Sequence, residues 1–511
     1  MIGLRTSHGK IDSHLSTLRK LASETAIYGV SSIVGRFLNY LLVPLYTYHF
    51  SPAEYGVVSE LYAYAGFFAV VLVFGLETGY FRFRDKDDGR AGDTAFATAL
   101  RFVLTANAVF LLAIVALQLP IAGALRYPDH PEYILWFAII LVLDSAGAIP
   151  FARLRAENRA ARFATIKLAE IGLTVALNLF FIVWCRHAYE VAPQSFLARF
   201  YDPAIGVGYI FIANLIASAF KWTLLLPQFR GLMSGFDRAL FRRMIAYSLP
   251  MVVIGFAGIV NEMLDRVLLK FLLPHDLQTN LALLGIYSAC YKLSILMSLF
   301  IQAFRYAGEP FFFAHAGRDD ARQIYADVMK YFVIFCVFIF LVVTLYLDIF
   351  KYFIGSEFRS GLPVVPILLM ANLCLGIYVN LSIWYKLTDH TGLGAWVAIG
   401  GAVLTVILNV LWIPILGYMG SAWATLVCYG AMAAVSYVLG RRYYPVRYDL
   451  RSISGYVILG IALYAGHDSL SVGTGLPTWA SGSVLLAVYL LVVARFEFRQ
   501  LRRAITGSPP P

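Results

Sequence analysis

The residues of this chain with the most chemistry to offer are ionised side chains embedded in long apolar runs. At mid-bilayer such a side chain costs about 2.5–3.5 kcal/mol on insertion scales, so each one present must face the protein interior or water. Arg36 falls near the middle of the first run, with Asn39, Tyr40 and Val43 on the same helical face. The seventh run carries Asn261, Glu262, Asp265, Arg266 and Lys270, while Lys292 lies near the centre of the eighth and Asp144 near that of the fourth. Glu60 and Glu77 sit in the second run, Lys167 and Glu170 in the fifth, and Arg101 and Lys221 near the inner ends of the third and sixth.

Spacing sorts these charges. Glu262 and Arg266 are four apart, which lets a helix neutralise its own charges. Arg101, Lys167, Lys221 and Lys270 are placed to snorkel to an interface, and Glu77 lies close enough to Arg82 and Arg84 for a salt bridge at the membrane edge. Arg36 and Lys292 have no carboxylate one turn away and no easy route to an interface. They either line a water-filled cavity or pair across helices, with Asp144 open as a partner of either or as a proton site. The candidate binding set is therefore Arg36, Asn39, Asp144, Glu262, Asp265, Arg266 and Lys292. A cationic cavity suits a cargo of concentrated negative charge, such as pyrophosphate, because Arg matches phosphate oxygens bidentately and Lys acts as a point charge. Tyr40, Tyr46, Tyr62, Tyr64, Tyr287 and Tyr291 are candidates for stacking on sugars. Catalysis is not indicated. His49, His130, His187, His275 and His467 are scattered singly, and Cys185, Cys290, Cys336, Cys374 and Cys428 have no metal-type spacing. The chain reads as a non-enzyme with no cofactor.

The elements that must position these groups are membrane helices. Hydrophobic residues make up 60% of the 511 and charged residues 14%, with a mean hydropathy of +0.72. A soluble surface needs about 25% charge, so much of this surface faces lipid, and at roughly 20 residues per span the chain holds about fourteen. Apolar runs lie near 25–48, 56–80, 96–118, 133–152, 164–185 and 203–225, then near 246–271, 282–304, 324–347, 362–385, 394–415 and 418–440, with a shorter pair near 453–467 and 479–495. Barrel strands would alternate and be about half as long, so the fold class is all-α. The formal charge of +11 reflects topology rather than nucleic-acid binding. Most Lys and Arg fall in the tails and the even-numbered connections, and the odd ones hold Arg126, Arg186, Arg199, Lys351 and Arg359, which predicts both termini in the cytoplasm. Residues 1–24 are polar and the first run is too long for a signal-peptide core, so no cleavable signal is expected. There is also an internal echo: GVVSELY at 56–62 opens span 2 and GIYSACY at 285–291 opens span 8, sharing Gly, Ser and Tyr. Two halves in the same orientation would suit a parallel-repeat transporter.

The stretches DRVLLKFLLP (265–274) and LLGIYSACYKLSILMSLFIQAFRYAGEPFFF (283–313) resemble the polysaccharide transporter family. These are the Wzx-type O-antigen and exopolysaccharide flippases of the multidrug/oligosaccharidyl-lipid/polysaccharide exporter superfamily. The carrying features are Asp265–Arg266 late in span 7, Gly285–Lys292 opening span 8 and Pro310–Phe311 at its exit. The segment 29–64, with its S-P-x-E-Y-G turn before span 2, is similar too. The resemblance implies two six-helix bundles in a V (25–225 and 246–440, joined by 226–245), with helices 13–14 (441–495) peripheral and a tail at 496–511. It implies alternating access that moves a polyprenyl-pyrophosphate oligosaccharide to the outer leaflet of a bacterial inner membrane. Membrane lipids, a polysaccharide polymerase and chain-length proteins would be its partners. A lipid II flippase, a cation-coupled small-molecule exporter and a membrane-embedded polymerase or transferase are the alternatives.

Overall fold

The computed structural model describes residues 34–35, 37–84, 89–230, 232 and 235–506. Every described apolar run forms a helix, because a backbone amide in hydrocarbon has no partner outside its own segment. In chain order the principal helices are α1 (Leu42–His49), α2 (Pro52–Val73), α3 (Leu76–Phe83), α4 (Gly89–Ala124), α5 (Pro131–Ala156), α6 (Ala160–Asn178), α7 (Gly208–Leu225) and α8 (Arg238–Leu272). They continue with α9 (Leu277–Leu293), α10 (Ile295–His315), α11 (Ala321–Leu345), α12 (Val364–Leu381), α13 (Ile383–Leu387), α14 (Thr391–Leu416), α15 (Tyr418–Tyr443), α16 (Leu450–Thr474) and α17 (Thr478–Thr506).

Among the described residues, eleven helices are long and apolar enough to cross a membrane, or twelve if the bent pair α9–α10 is one span. The chain is thus a multi-pass helical membrane protein. The expected count of fourteen is not reached by this measure: the first part of span 1 lies outside the described residues, and α16 is not among the eleven.

The chain divides into two compact units, Met1–Leu42 with Glu60–Ile259 and Val43–Ser59 with Val260–Pro511. In the first, span 2 breaks between α2 and α3, where Phe74 and Gly75 have φ of 53° and 63°. A Cβ on Gly75 would also meet the Ser248 carbonyl oxygen at 3.0 Å, so glycine suits both the backbone and the contact. The α3 segment then packs Leu76 and Tyr80 into a core with Phe96, Leu100, Ile149 and Met244. Polar side chains also join helices here. Asn107 on α4 accepts from the Ser145 hydroxyl of α5 at 2.5 Å and donates to the Val103 carbonyl at 2.7 Å.

The second unit contains the start of α2. Ser51 and Glu54 form a capping box: Glu54 Oε2 accepts from Ser51 N at 2.9 Å, and Glu54 N donates to Ser51 Oγ at 3.4 Å, with Pro52 at the first helical position. This is the physical content of the S-P-x-E-Y-G turn. The echoed glycines meet. A Cβ on Gly56 would overlap the Leu281 carbonyl oxygen, and one on Gly285 the Pro52 carbonyl oxygen, so α2 and α9 cross backbone to backbone. Span 8 then bends by 51° between α9 and α10. At the bend the Ser294 hydroxyl donates to the Tyr291 carbonyl at 2.7 Å, and Asn372 of α12 donates to Ser294 Oγ at 3.2 Å.

Candidate functional site

In the second unit, α8 and α9 bring four of the predicted residues together. Asp265 and Arg266 lie late in α8 and both are largely buried. Arg266 donates to Asp265 Oδ1 at 2.9 Å, and the Tyr287 hydroxyl donates to Asp265 Oδ2 at 2.6 Å. The Arg266 guanidinium also donates to the Glu262 carbonyl at 2.5 Å and lies 4.4 Å from the centre of the Tyr291 ring. Asp265 therefore neutralises and orients the arginine, and the tyrosine covers it.

The expected Glu262–Arg266 ion pair does not form. Asp265 and the Glu262 backbone take the guanidinium instead, leaving the Glu262 carboxylate exposed. Lys292 follows Tyr291 in the last turn of α9, just before the bend. That is the negative end of a helix dipole, a favourable place for a cation. It lies within electrostatic reach of Arg266 and Glu262, yet among the described residues it makes no ion pair or hydrogen bond. At the loop end of α9, Asp276 caps the helix. Hydrogen bonds from the Thr279 hydroxyl at 2.7 Å and amide at 3.0 Å hold its carboxyl below the usual range.

The other predicted residues lie elsewhere. Arg36 lies outside the described residues, and Asn39 is exposed on a helical turn of the first unit. Asp144, also in the first unit, has a partner that its sequence position did not suggest. Lys221 of α7 is 2% exposed and bonds Asp144 of α5 at 2.5 Å and Glu170 of α6 at 2.6 Å, while Lys167 reaches Glu170 at 3.3 Å. Ser218 adds a hydrogen bond to Asp144 at 2.8 Å. Lys221 does not snorkel. It is buried between two carboxylates, because α5 and α6 both present acids at its depth. Lys270, in the last turn of α8, is likewise fully buried. Arg101 does reach a connection, donating to the Leu232 carbonyl at 3.0 Å. The edge salt bridge of Glu77 forms, but to Arg155 of α5 at 2.5 Å.

Of the candidate tyrosines, Tyr40, Tyr46 and Tyr287 are buried and so closed to a sugar, while Tyr62 is exposed beside Asn214. Sequence reasoning missed one buried pair altogether. Lys330 of α11 meets Glu497 of α17 at 2.7 Å, and Tyr456 of α16 donates to the same carboxylate at 2.8 Å. The only signal was a charge inside the run at 324–347 and another just past the end of the run at 479–495.

The helical fold, with charges gathered on spans 7 and 8, marks a multi-pass membrane protein built like a transporter. The chain matches the family described as "Polysaccharide biosynthesis protein" over residues 21–313, more than half its length, and it belongs to that family. Among curated relatives, the probable low-salt glycan biosynthesis flippase Agl15 of Haloferax volcanii is 22% identical over 419 residues, 81% of each chain. Among solved structures, the lipid II flippase MurJ in an inward closed conformation is similar with a TM-score of 0.65 at 13% identity, over 93% of this chain and 100% of that one. An inward-facing multidrug resistance MATE family transporter of the MOP superfamily gives 0.60 at 12% identity, over 81% and 94%. At these identities the likeness establishes the fold.

Proposed function

We propose that this protein is a flippase that carries a polyprenyl-pyrophosphate-linked oligosaccharide from the cytoplasmic to the outer leaflet by alternating access, for assembly of a polysaccharide such as O-antigen, capsule or exopolysaccharide. The observation that carries the reading is Lys292. It is a mid-span ammonium at a helix end, beside an arginine already neutralised by Asp265, and it lacks a partner of its own among the described residues. A cation so placed attracts a phosphate oxygen. Membership of the polysaccharide biosynthesis family and the likeness to a glycan flippase support a glycan-bearing lipid as the source of that phosphate. The protein acts in a bacterial inner membrane with both termini cytoplasmic, handing its cargo to a polymerase and chain-length proteins without altering it.

The test is reconstitution in liposomes with a labelled polyprenyl-pyrophosphate oligosaccharide. The labelled lipid is expected to become accessible on the opposite leaflet with its glycan unchanged. An elongated or cleaved glycan would make the protein an enzyme. Transport of lipid II in preference to the oligosaccharide lipid would move it to cell-wall synthesis.

A further inference from the structure

The first unit holds its own set of polar side chains at mid-span. On α7, Asn214, Ser218 and Lys221 recur at i, i+4 and i+7, which puts them on one helical face. Each meets a partner on a neighbouring helix. Asn214 donates to the Tyr62 hydroxyl oxygen of α2 at 2.5 Å, and Ser218 to Asp144 Oδ1 of α5 at 2.8 Å. Lys221 donates to the same Oδ1 at 2.5 Å and to Glu170 of α6 at 2.6 Å. Lys221 is enclosed, but the strip is open beside it: the Asp144 side chain is 48% exposed and Tyr62 is 37% exposed. Asp144 lies near the middle of α5 and Tyr62 near the middle of α2. A charged group open at that depth faces water and not lipid.

Two atoms of this strip are unused. Asp144 Oδ1 accepts twice, while Oδ2 takes no hydrogen bond among the described residues. The Tyr62 hydroxyl accepts from Asn214, and its own hydrogen has no acceptor among the described residues. The two side chains lie within electrostatic reach of each other. Phe137 and Phe211 pack against the Tyr62 ring, each with its centre 6.3 Å away, and so fix it in place. Charge decides what such a place takes. Lys221 and Lys167 balance Asp144 and Glu170, so the network is neutral as a whole and exerts no net pull on a free ion. A phosphate, moreover, is repelled by the open carboxylate. As the carboxylate partner of Lys221, Asp144 can only accept, and the phenol has a hydrogen to give. One acceptor, one donor and a fixed aromatic ring match a neutral ligand whose hydroxyls both donate and accept.

We infer that Asp144 and Tyr62 form a sugar-binding subsite in the first unit, separate from the Lys292 site of the second. A sugar hydroxyl donates to Asp144 Oδ2, a second sugar oxygen accepts from the Tyr62 hydroxyl, and the C–H face of the sugar lies on the tyrosine ring. Asp144 selects against an anionic sugar at this position. The inference deepens the function proposed above and rests on it for the source of the sugar, the glycan of the carried lipid. Binding of the sugar itself is measured without transport.

The test is saturation-transfer NMR on the full-length protein, in a detergent without a sugar headgroup, with the methyl glycosides of glucose, galactose and N-acetylglucosamine as probes. At least one should receive saturation from the protein. Asp144→Asn keeps an acceptor for Lys221 and turns the open atom into a donor. It should weaken the binding by about tenfold or more, the worth of a hydrogen bond to a charged group. Tyr62→Phe keeps the packing against Phe137 and Phe211 and should weaken binding by about fivefold, whereas Tyr62→Ala should abolish it. Native mass spectrometry with polyprenyl pyrophosphate, bare or carrying the sugar that binds, separates this inference from the flippase reading. Lys292→Ala should weaken retention of both lipids alike, and Asp144→Asn only that of the glycosylated one. Free-sugar binding with neither lipid retained would keep the subsite and refute the lipid-linked cargo. No transfer to any of the three sugars, binding unchanged in both Asp144→Asn and Tyr62→Ala, or displacement of the sugar by equimolar inorganic pyrophosphate would overturn the inference.

Discussion

Replacing Lys221 with methionine removes the ammonium and keeps much of the chain length. The side chain is 2% exposed and bonds Asp144 at 2.5 Å and Glu170 at 2.6 Å, so the variant leaves two carboxylates facing each other across a gap. Removing one partner of a buried pair costs about 3–5 kcal/mol. The lower end applies, because the Asp144 side chain is 48% exposed, whereas Glu170, at 14%, is mostly enclosed. For a unit of this size each kcal/mol moves the unfolding midpoint by about 2–4 °C, so about 3 kcal/mol predicts a fall of roughly 6–12 °C. The assay is thermal unfolding of the purified protein in detergent, followed by size-exclusion fluorescence. The triple variant Lys221→Met, Asp144→Asn, Glu170→Gln removes every charge of the cluster except Lys167, which is 37% exposed and can turn to the surface. It should recover most of the loss, since a neutral replacement of a buried ion cluster is often harmless. A Lys221→Met midpoint within about 2 °C of the parent, or a triple variant no better than the single, would refute the buried-network account.

Three further outcomes are expected. Lys292→Ala should abolish liposome transport with an unchanged unfolding midpoint, while Lys292→Arg retains part of the rate. A normal transport rate per folded molecule in the alanine variant would remove Lys292 from the site. Glu497→Ala removes the carboxylate that Lys330, buried to 5% exposure, bonds at 2.7 Å, and should loosen α16 and α17 from α11, read as faster proteolysis after residue 443; an unchanged digestion pattern would count against that anchor. Cysteines placed at 119–132 and 468–478 should label from outside intact cells and those at 226–243 should not, and the reverse pattern would invert the topology.

Much of the helical plan was legible because lipid imposes a single solution on an apolar run. The S-P-x-E turn was legible for a similar reason: a capping box is local, and its partners are three residues apart. The echo between Gly56 and Gly285 was visible as three shared letters. Its meaning needed the fold, because nothing in either heptapeptide says that each glycine meets a carbonyl of the other's helix. The pairing of Glu262 with Arg266 failed on a local detail. Spacing put an acid within reach, but Asp265, next along the chain and held by Tyr287, reaches the guanidinium first.

The charges that were misplaced share one cause. Position within an apolar run reports depth in the membrane, and depth alone suggests that a lysine near a helix end will extend to the interface. What decides the matter is the facing helix. Lys221 and Glu170 are 51 residues apart and Lys330 and Glu497 are 167 apart, so neither pair is visible to any periodicity. Each closes a helix–helix contact whose cost, once charges are buried, is offset only by the partner. The same logic separates Lys292 from the rest. Asp265 is taken by Arg266 and Tyr287, and Asp144 by Lys221 and Ser218, whereas Lys292 has no such bond among the described residues. Under the function proposed above, this cation at a helix end is where a transported anion supplies the partner that the described residues do not, and the Lys292→Ala transport measurement decides it.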